Sequence, residues 1–245
     1  MRNLIVAAFL LAISFAGGAE DDVFTIVCFG DSTTAFRPGA VEQVYSQRLE
    51  KALAGEKSSF RVVNRGVGGD HTERARKRFE ADVLSENPDL VVIQFGINDA
   101  AVDVWKDPPA TGPRISRERF LENLKYFVAT LRESGCMVIL MTPNPLRWSK
   151  KIRELYGKPP YDPDDVLGFE APFFRDYVEA VRTLAERKGI PLVDIYGVYQ
   201  NEEAETGRTA EDYLLDGIHP NDKGHELVAG RLLPEIRRIM ESRAR

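Results

Sequence analysis

Cysteine is scarce in this chain, with two residues among 245, Cys28 and Cys136. Two thiols cannot complete a structural zinc site or a disulfide framework. Each sits in or beside an apolar, strand-like run, so both read as buried thiols. Histidine is almost as rare, with His71, His219 and His225 the full set. Any reaction that needs an imidazole base must therefore draw on one of three residues. A basic surplus is also missing. Lys and Arg number 33 against 38 Asp and Glu, and the net charge of -5 offers no field for nucleic acid. No repeat or low-complexity stretch stands out, which argues against a solenoid or a disordered tail. The apolar stretch at residues 4–15 is too short for a bilayer span of ~20 residues.

That stretch has a different reading. Arg2 supplies a positive start and residues 4–15 an uncharged apolar centre. Ala16-Gly17-Gly18-Ala19 then offers small residues for cleavage, with Glu20-Asp21-Asp22 beyond. The pattern predicts a secretory signal peptide at residues 1–19, removed on export. No cysteine stands directly after the apolar region at the cleavage position, so a lipid anchor is not expected. The mature product should be secreted or periplasmic, with no stable membrane anchor. Residues 20–245 suit one α/β domain with room for a full apolar core.

Short β-branched runs alternate with amphipathic ones. Strands are expected at residues 23–29, 60–63, 90–95, 138–141 and 191–195. Helices are expected at 41–53, 71–84, 117–132, 172–188 and 222–240. In 41–53 the apolar residues Val41, Val44, Tyr45, Leu49 and Leu53 share one face. Strict alternation of this kind implies a parallel sheet with helices on both faces. Ligands of such sheets bind at the carboxyl ends of the strands. Nearly every candidate polar group follows a strand: Asp31-Ser32, residues 64–70, Asn98-Asp99, Asn144, and the segment leading to Asp216.

A serine hydroxyl attacks poorly until a base takes its proton. Ser32 lies in Gly30-Asp31-Ser32-Thr33, where a strand ends and nearby backbone N–H groups could serve a developing oxyanion. On its own this tripeptide also makes ordinary turns. His219 lies in Asp216-Gly217-Ile218-His219-Pro220-Asn221. The three-residue offset lets a local turn bring the Asp216 carboxylate to one ring nitrogen and leave the other for the serine. A capped turn before the last helix would use the same residues. His71 opens a charged helix and is expected in solvent. No Gly-x-Ser-x-Gly elbow surrounds any serine, which argues against the α/β-hydrolase fold. Oxyanion donors could come from the glycines in Asn64-Arg65-Gly66-Val67-Gly68-Gly69-Asp70 and from the Asn98 amide in Gly96-Ile97-Asn98-Asp99.

Together these four blocks, in this order, resemble the SGNH (GDSL-type) hydrolase family, from about Val23 to the final helix. The resemblance implies a flavodoxin-like three-layer α/β/α sandwich with a five-stranded parallel sheet, and serine ester hydrolysis without a cofactor or metal. It implies Ser32 as nucleophile, His219 as base and Asp216 as its orienter. The oxyanion hole would be the N–H groups of Ser32 and Gly69 with the side chain of Asn98. Gly66 or Gly68 could stand in for Gly69, because the second block is the loosest match. Gly-Asp-Ser-Thr replaces the more usual Gly-Asp-Ser-Leu and resembles the rhamnogalacturonan acetylesterase branch.

The substrate expected on this reading is a short-acyl, acetyl-type ester of a carbohydrate, small or polymeric. The long connection at 143–171 carries Arg147, Lys150, Lys151 and Arg153, then Asp162, Asp164 and Asp165. A wall so charged suits a polar polymer better than a long acyl chain. Trp148 or Tyr156 would stack on a sugar ring. The alternatives are a lipid-ester or thioester hydrolase of the same family, or a silent glycan-binding module. A metallohydrolase built on Asp216, His219, Asp222 and His225 is also conceivable, but Pro220 and the helix beyond it should turn His225 away from His219.

Overall fold

The computed structural model describes residues 23–56, 59–165 and 169–243. The expected signal segment at 1–19 lies outside them. Five strands, β1 (Phe24–Gly30), β2 (Phe60–Gly66), β3 (Leu90–Gln94), β4 (Met137–Met141) and β5 (Leu192–Val193), pair in parallel in the order β2-β1-β3-β4-β5. The helices are α1 (Tyr45–Leu53), α2 (Thr72–Asp82), α3 (Ile97–Ala100), α4 (Arg117–Glu133), α5 (Lys150–Tyr156), α6 (Phe174–Lys188), α7 (Ile195–Thr206) and α8 (Asp222–Arg243).

Strand periodicity sorts the core into two layers. Ile26 and Cys28 of β1, with Leu90 and Val92 of β3, face α1 and α8, where Leu49, Leu53, Leu232 and Ile236 meet them. Val27 and Phe29, with Val91 and Ile93, face α2, α4 and α6, where Phe79, Phe127 and Val181 pack. Phe29 meets Phe95 and Phe127 edge-on at 5.0 and 5.4 Å between ring centres. This is the expected three-layer α/β/α sandwich. The cysteines are buried and free, one in each layer. Burial pushes both thiols up to about 12.

The strand order reverses at β1, whose two neighbours are β2 and β3. The loops after β1 and β3 part there and open a crevice at the carboxyl edge. Ser32 follows one of those strands and Asn98 the other.

Several boundaries differ from expectation. β2 runs three residues further, to Gly66, because Asn64 and Arg65 continue the ladder opposite Cys28 and Phe29. β5 shrinks to two residues because Asp194 caps α7, accepting a hydrogen bond from the Gly197 N–H. α3, α5 and α7 have no counterpart among the expected helices. α5 starts at a serine cap, Ser149, which accepts from the Ile152 N–H. Among the described residues no helix is long and apolar enough to cross a membrane.

Candidate active site

The turn after β1 is tight because Gly30 makes it so. A Cβ there would come within 2.2 Å of Thr34 Oγ1 and 2.9 Å of the Gln94 carbonyl. The backbone N–H groups of Thr34 and Ala35 both donate to the Asp31 carbonyl, at 3.2 and 3.0 Å. The turn buries Asp31, Thr33 and Thr34 and leaves Ser32 half-exposed at its crest. Asn64 secures it from β2, donating to the Thr34 carbonyl at 2.7 Å and to Ser46 Oγ at 2.8 Å.

The segment 214–220 closes on the same edge as a pinned loop. The Leu215 N–H donates to the His219 carbonyl at 2.8 Å. Asp216 Oδ1 accepts from the N–H groups of Ile218 and His219 at 3.1 and 2.9 Å. Gly217 has φ +87°, and a Cβ there would run into the Arg147 carbonyl. Asn144 Nδ2 donates to the Ile218 carbonyl at 2.8 Å, so the loop after β4 holds this turn in place.

The two turns meet. His219 Nε2 lies 2.9 Å from Ser32 Oγ, and His219 Nδ1 lies 2.9 Å from Asp216 Oδ2 and 3.0 Å from Oδ1. A carboxylate only accepts, so Nδ1 carries the proton and Nε2 presents its lone pair to the serine. Burial works against the charge of Asp216. The hydrogen bonds from the His219 ring and backbone outweigh it and hold the carboxyl well below the usual range. The chain Ser32–His219–Asp216 has the geometry to move a proton off a hydroxyl.

The oxyanion candidates separate by whether they reach the cavity beside Ser32. Gly69, at φ +72°, and Asn98 line the same cavity as Ser32 and His219. Gly66 does not, because it packs against the Thr34-Ala35 backbone, where a Cβ would sit 2.2 Å from the Ala35 nitrogen. Gly68 is exposed and outside the lining. The cavity holds about 240 Å³. Its far wall is apolar, made by Ile97, Leu146, Tyr156, Tyr161, Phe169 and Phe174.

The two aromatics expected to stack on sugar sit differently. Trp148 packs into the wall behind the cavity, 5.0 Å from the Phe169 ring and edge-on to Tyr161, and is not part of the lining. That placement does not fit a stacking role. Tyr156 does line the cavity, yet it is 8% exposed and lies parallel to Phe169 at 5.6 Å. It is a wall rather than a platform. Lys150, Lys151, Arg153, Asp162 and Asp164 are exposed and outside the cavity lining, whereas Arg147 turns inward. The anchor of the 143–171 segment is Glu170, 1% exposed, which accepts from the Leu146 N–H, Arg147, Arg175 and the Tyr196 hydroxyl.

The other histidines take no part in this geometry. His225 turns to α1, where its Nδ1 accepts from the Tyr45 N–H at 3.3 Å, and burial lowers its pKa to about 4. Asp222 instead caps the backbone of Glu42 and Gln43. Among the described residues no three His, Cys, Asp or Glu side chains are grouped to hold a metal ion. His71 is half-buried, not solvated, and burial lowers its pKa.

Three residues support the site: Asp31 and Asp99, expected at the strand ends but without a role, and Arg114, which the sequence does not mark. Buried Asp31 accepts from the Thr33 N–H at 2.9 Å, and its Oδ2 lies 3.5 Å from Asn98 Nδ2. Buried Asp99 accepts from the N–H and hydroxyl of Thr72, tying the Asn98 turn to the start of α2, just after Gly69. Arg114 donates to Asn98 Oδ1 at 3.0 Å. Arg114 stands 16 residues from Asn98, in a loop with no periodicity to mark it.

A parallel sheet with a Ser–His–Asp relay in the crevice at its carboxyl edge defines an ester hydrolase of the SGNH type. The sequence pattern of the GDSL-like lipase/acylhydrolase family matches residues 28–227, and the chain belongs to that family. It is 31% identical over 242 residues to the uncharacterized lipoprotein YqeF of Bacillus subtilis, spanning 93% of this chain and 95% of that one. It is 26% identical over 218 residues to an acetylxylan esterase of Geobacillus stearothermophilus, spanning 84% and 81%. Among solved structures, the lipase/acylhydrolase of Enterococcus faecalis superposes with a TM-score of 0.62 at 28% identity, over 87% of this chain and 95% of that one.

Proposed function

We propose that Ser32 is the nucleophile of this esterase, with His219 as general base and Asp216 orienting it. The observation that carries the proposal is the unbroken relay from Asp216 through His219 to Ser32, with 2.9 Å at each step. Ser32 Oγ attacks the ester carbonyl as its proton passes to His219 Nε2. The N–H groups of Ser32 and Gly69 and the Asn98 amide hold the oxyanion. The imidazolium then protonates the departing alcohol, leaving an acyl-serine. Water, deprotonated by His219, releases the acid by the same route.

The substrate proposed is a short-acyl ester of a carbohydrate, with acetyl as the acyl group. Two observations support it. A relative spanning most of the chain bears the name acetylxylan esterase. The cavity beside Ser32, at about 240 Å³, falls below the ~300–1,000 Å³ of ordinary ligand pockets and suits a small group better than a long chain. The sugar would then lie outside the cavity, against the rim. Export of one hydrolase domain, residues 20–245, after loss of residues 1–19 fits such a substrate, since polymeric carbohydrate esters stay outside the cell.

The test is a panel of acetylated polysaccharides and of aryl esters of rising acyl length. Acetyl esters should be cleaved faster than esters of eight or more carbons. A preference for long acyl chains would move the substrate to lipids, and inertness toward every ester in the panel would leave a glycan-binding module.

A further inference from the structure

We infer that Arg114 is the positioning residue of the oxyanion hole, holding the Asn98 amide with its NH₂ group toward Ser32. The inference rests on the proposed role of Asn98 and adds the residue that makes that role possible. An asparagine amide is a donor at one end and an acceptor at the other, and the two ends are nearly the same size. An Asn98 turned by half a rotation would offer its oxygen to the oxyanion and repel it. Something must therefore fix the amide.

Arginine has donors only. Arg114 Nη1 lies 3.0 Å from one end of the Asn98 amide, so that end must be the oxygen. The far end must then be the NH₂, and the neighbour there agrees. Asp31 Oδ2, an acceptor in the carboxylate form, lies 3.5 Å from Nδ2, at the edge of hydrogen-bond range. A donor on one side and an acceptor on the other specify the same orientation. A weak contact to Asp31 leaves Nδ2 with donor capacity for a ligand in the cavity that Asn98 lines.

Arg114 is itself held. Its backbone N–H donates to the Ala101 carbonyl at 2.9 Å, and the next N–H, of Ile115, donates to the Asp99 carbonyl at 3.1 Å. These two bonds close the base of the 101–116 loop, one of them on Asp99, the residue next to Asn98. The guanidinium Nε donates to Asp103 Oδ1 at 2.7 Å, and Lys106 meets the other oxygen of Asp103 at 2.7 Å. The carboxylate of Asp103 is 8% exposed, so this ion pair is largely shielded from solvent. A third contact runs from Nη2 to the Tyr156 hydroxyl at 3.3 Å, joining the oxyanion donor to the cavity wall. The positive charge also polarises the Asn98 carbonyl and so strengthens its N–H donors.

Kinetics of a double-mutant cycle test this. Asn98→Ala alone should lower kcat on an aryl acetate by about 10²–10³. Arg114→Met, which keeps the length and removes the donors, should lower kcat by about tenfold or more with KM changed under about threefold. In the Asn98→Ala background the same Arg114→Met change should cost under about twofold, because no amide remains to orient. Guanidinium ion should partly restore kcat to Arg114→Ala, and not to the Arg114→Ala/Asn98→Ala double variant. An equal cost of Arg114→Met in both backgrounds would make Arg114 a loop brace and overturn the inference, as would failure of rescue in a folded Arg114→Ala. If Asn98→Ala alone left kcat intact, the oxyanion reading itself would fall, before Arg114 is touched.

Discussion

Asp216→Asn changes one atom of the relay and leaves the turn in place. Oδ1 of an asparagine would still accept from the Ile218 and His219 N–H groups, at the present 3.1 and 2.9 Å. The new NH₂ would stand where Oδ2 now lies, 2.9 Å from His219 Nδ1. Two donors cannot face each other, so the ring must move its proton to Nε2. Nε2 would then donate to Ser32 and could not take its proton. The same swap in a serine protease triad costs about 10⁴ in kcat. Here the Asp216 side chain is 33% exposed, so water can relieve part of the mismatch. We expect kcat to fall about 10³-fold, or roughly 4 kcal/mol of activation free energy, with KM little changed. Thermal midpoints at neutral pH should fall, because the stabilisation that the ionised carboxylate gives there is removed, while the retained Oδ1 contacts keep the variant folded. The carboxyl is held below its ordinary value in the folded state. Its stabilisation is therefore present above the ordinary ~3.9 and lost as pH falls from there toward the folded value. Asp216→Asn should remove that part of the acid sensitivity. Steady-state kinetics on an aryl acetate read the first effect and urea midpoints the second. Retention of more than a tenth of kcat in a folded variant would refute the tautomer reasoning.

Three further outcomes are expected. Burial pushes the Asp99 carboxyl up to about 7 in spite of two hydrogen bonds from Thr72. The folded state thus keeps a proton that the unfolded chain loses above ~3.9, so stability falls between about pH 4 and 7 and then levels off. Asp99→Asn cannot titrate and should flatten that decline by on the order of 3 kcal/mol, read as urea midpoints at the two ends; an unchanged slope would show that Asp99 ionises normally. Trp148→Ala should impair polysaccharide deacetylation and aryl acetate hydrolysis equally, because the indole packs behind the cavity wall; a loss confined to the polysaccharide would return Trp148 to the substrate. Glu170→Ala leaves Arg147 and Arg175 without the buried carboxylate they share and should cost about 3 kcal/mol by denaturant titration, whereas a loss under about 0.5 kcal/mol would mean that the 143–171 segment is held by its aromatics alone.

The sheet and the candidate triad were legible because each leaves a local mark. Strands buried on both faces read as continuous apolar runs, as at Leu90–Gln94. Asp216 and His219 sit three residues apart, so one turn brings them together. Counting from Asn64 favours Gly69 over Gly66 and Gly68, and of the three Gly69 lines the cavity, while Gly66 packs against the Ser32 turn. The missed features are non-local. Arg114 reaches Asn98 across a loop, and Asp99 reaches Thr72 across 27 positions, so neither bond has a spacing to betray it. The placement of Trp148 is illegible for a related reason. A charged segment suggests solvent, yet its aromatics turn inward onto one another around Phe169, and Arg147 and Glu170 turn inward with them. α7 was missed because its apolar residues Ile195, Tyr196 and Tyr199 crowd its first turns and its remainder is polar.

The most direct test of the central claim is to trap the acyl-enzyme. Protein quenched in acid during turnover of an aryl ester, then digested and mapped by mass spectrometry, should carry one acyl group, on the peptide containing Ser32. Ser32→Ala should carry none and should lose about 10³-fold or more in kcat while remaining folded. Acylation of any other residue, or a Ser32→Ala protein that keeps a tenth of its activity, would contradict the assignment of Ser32 as nucleophile.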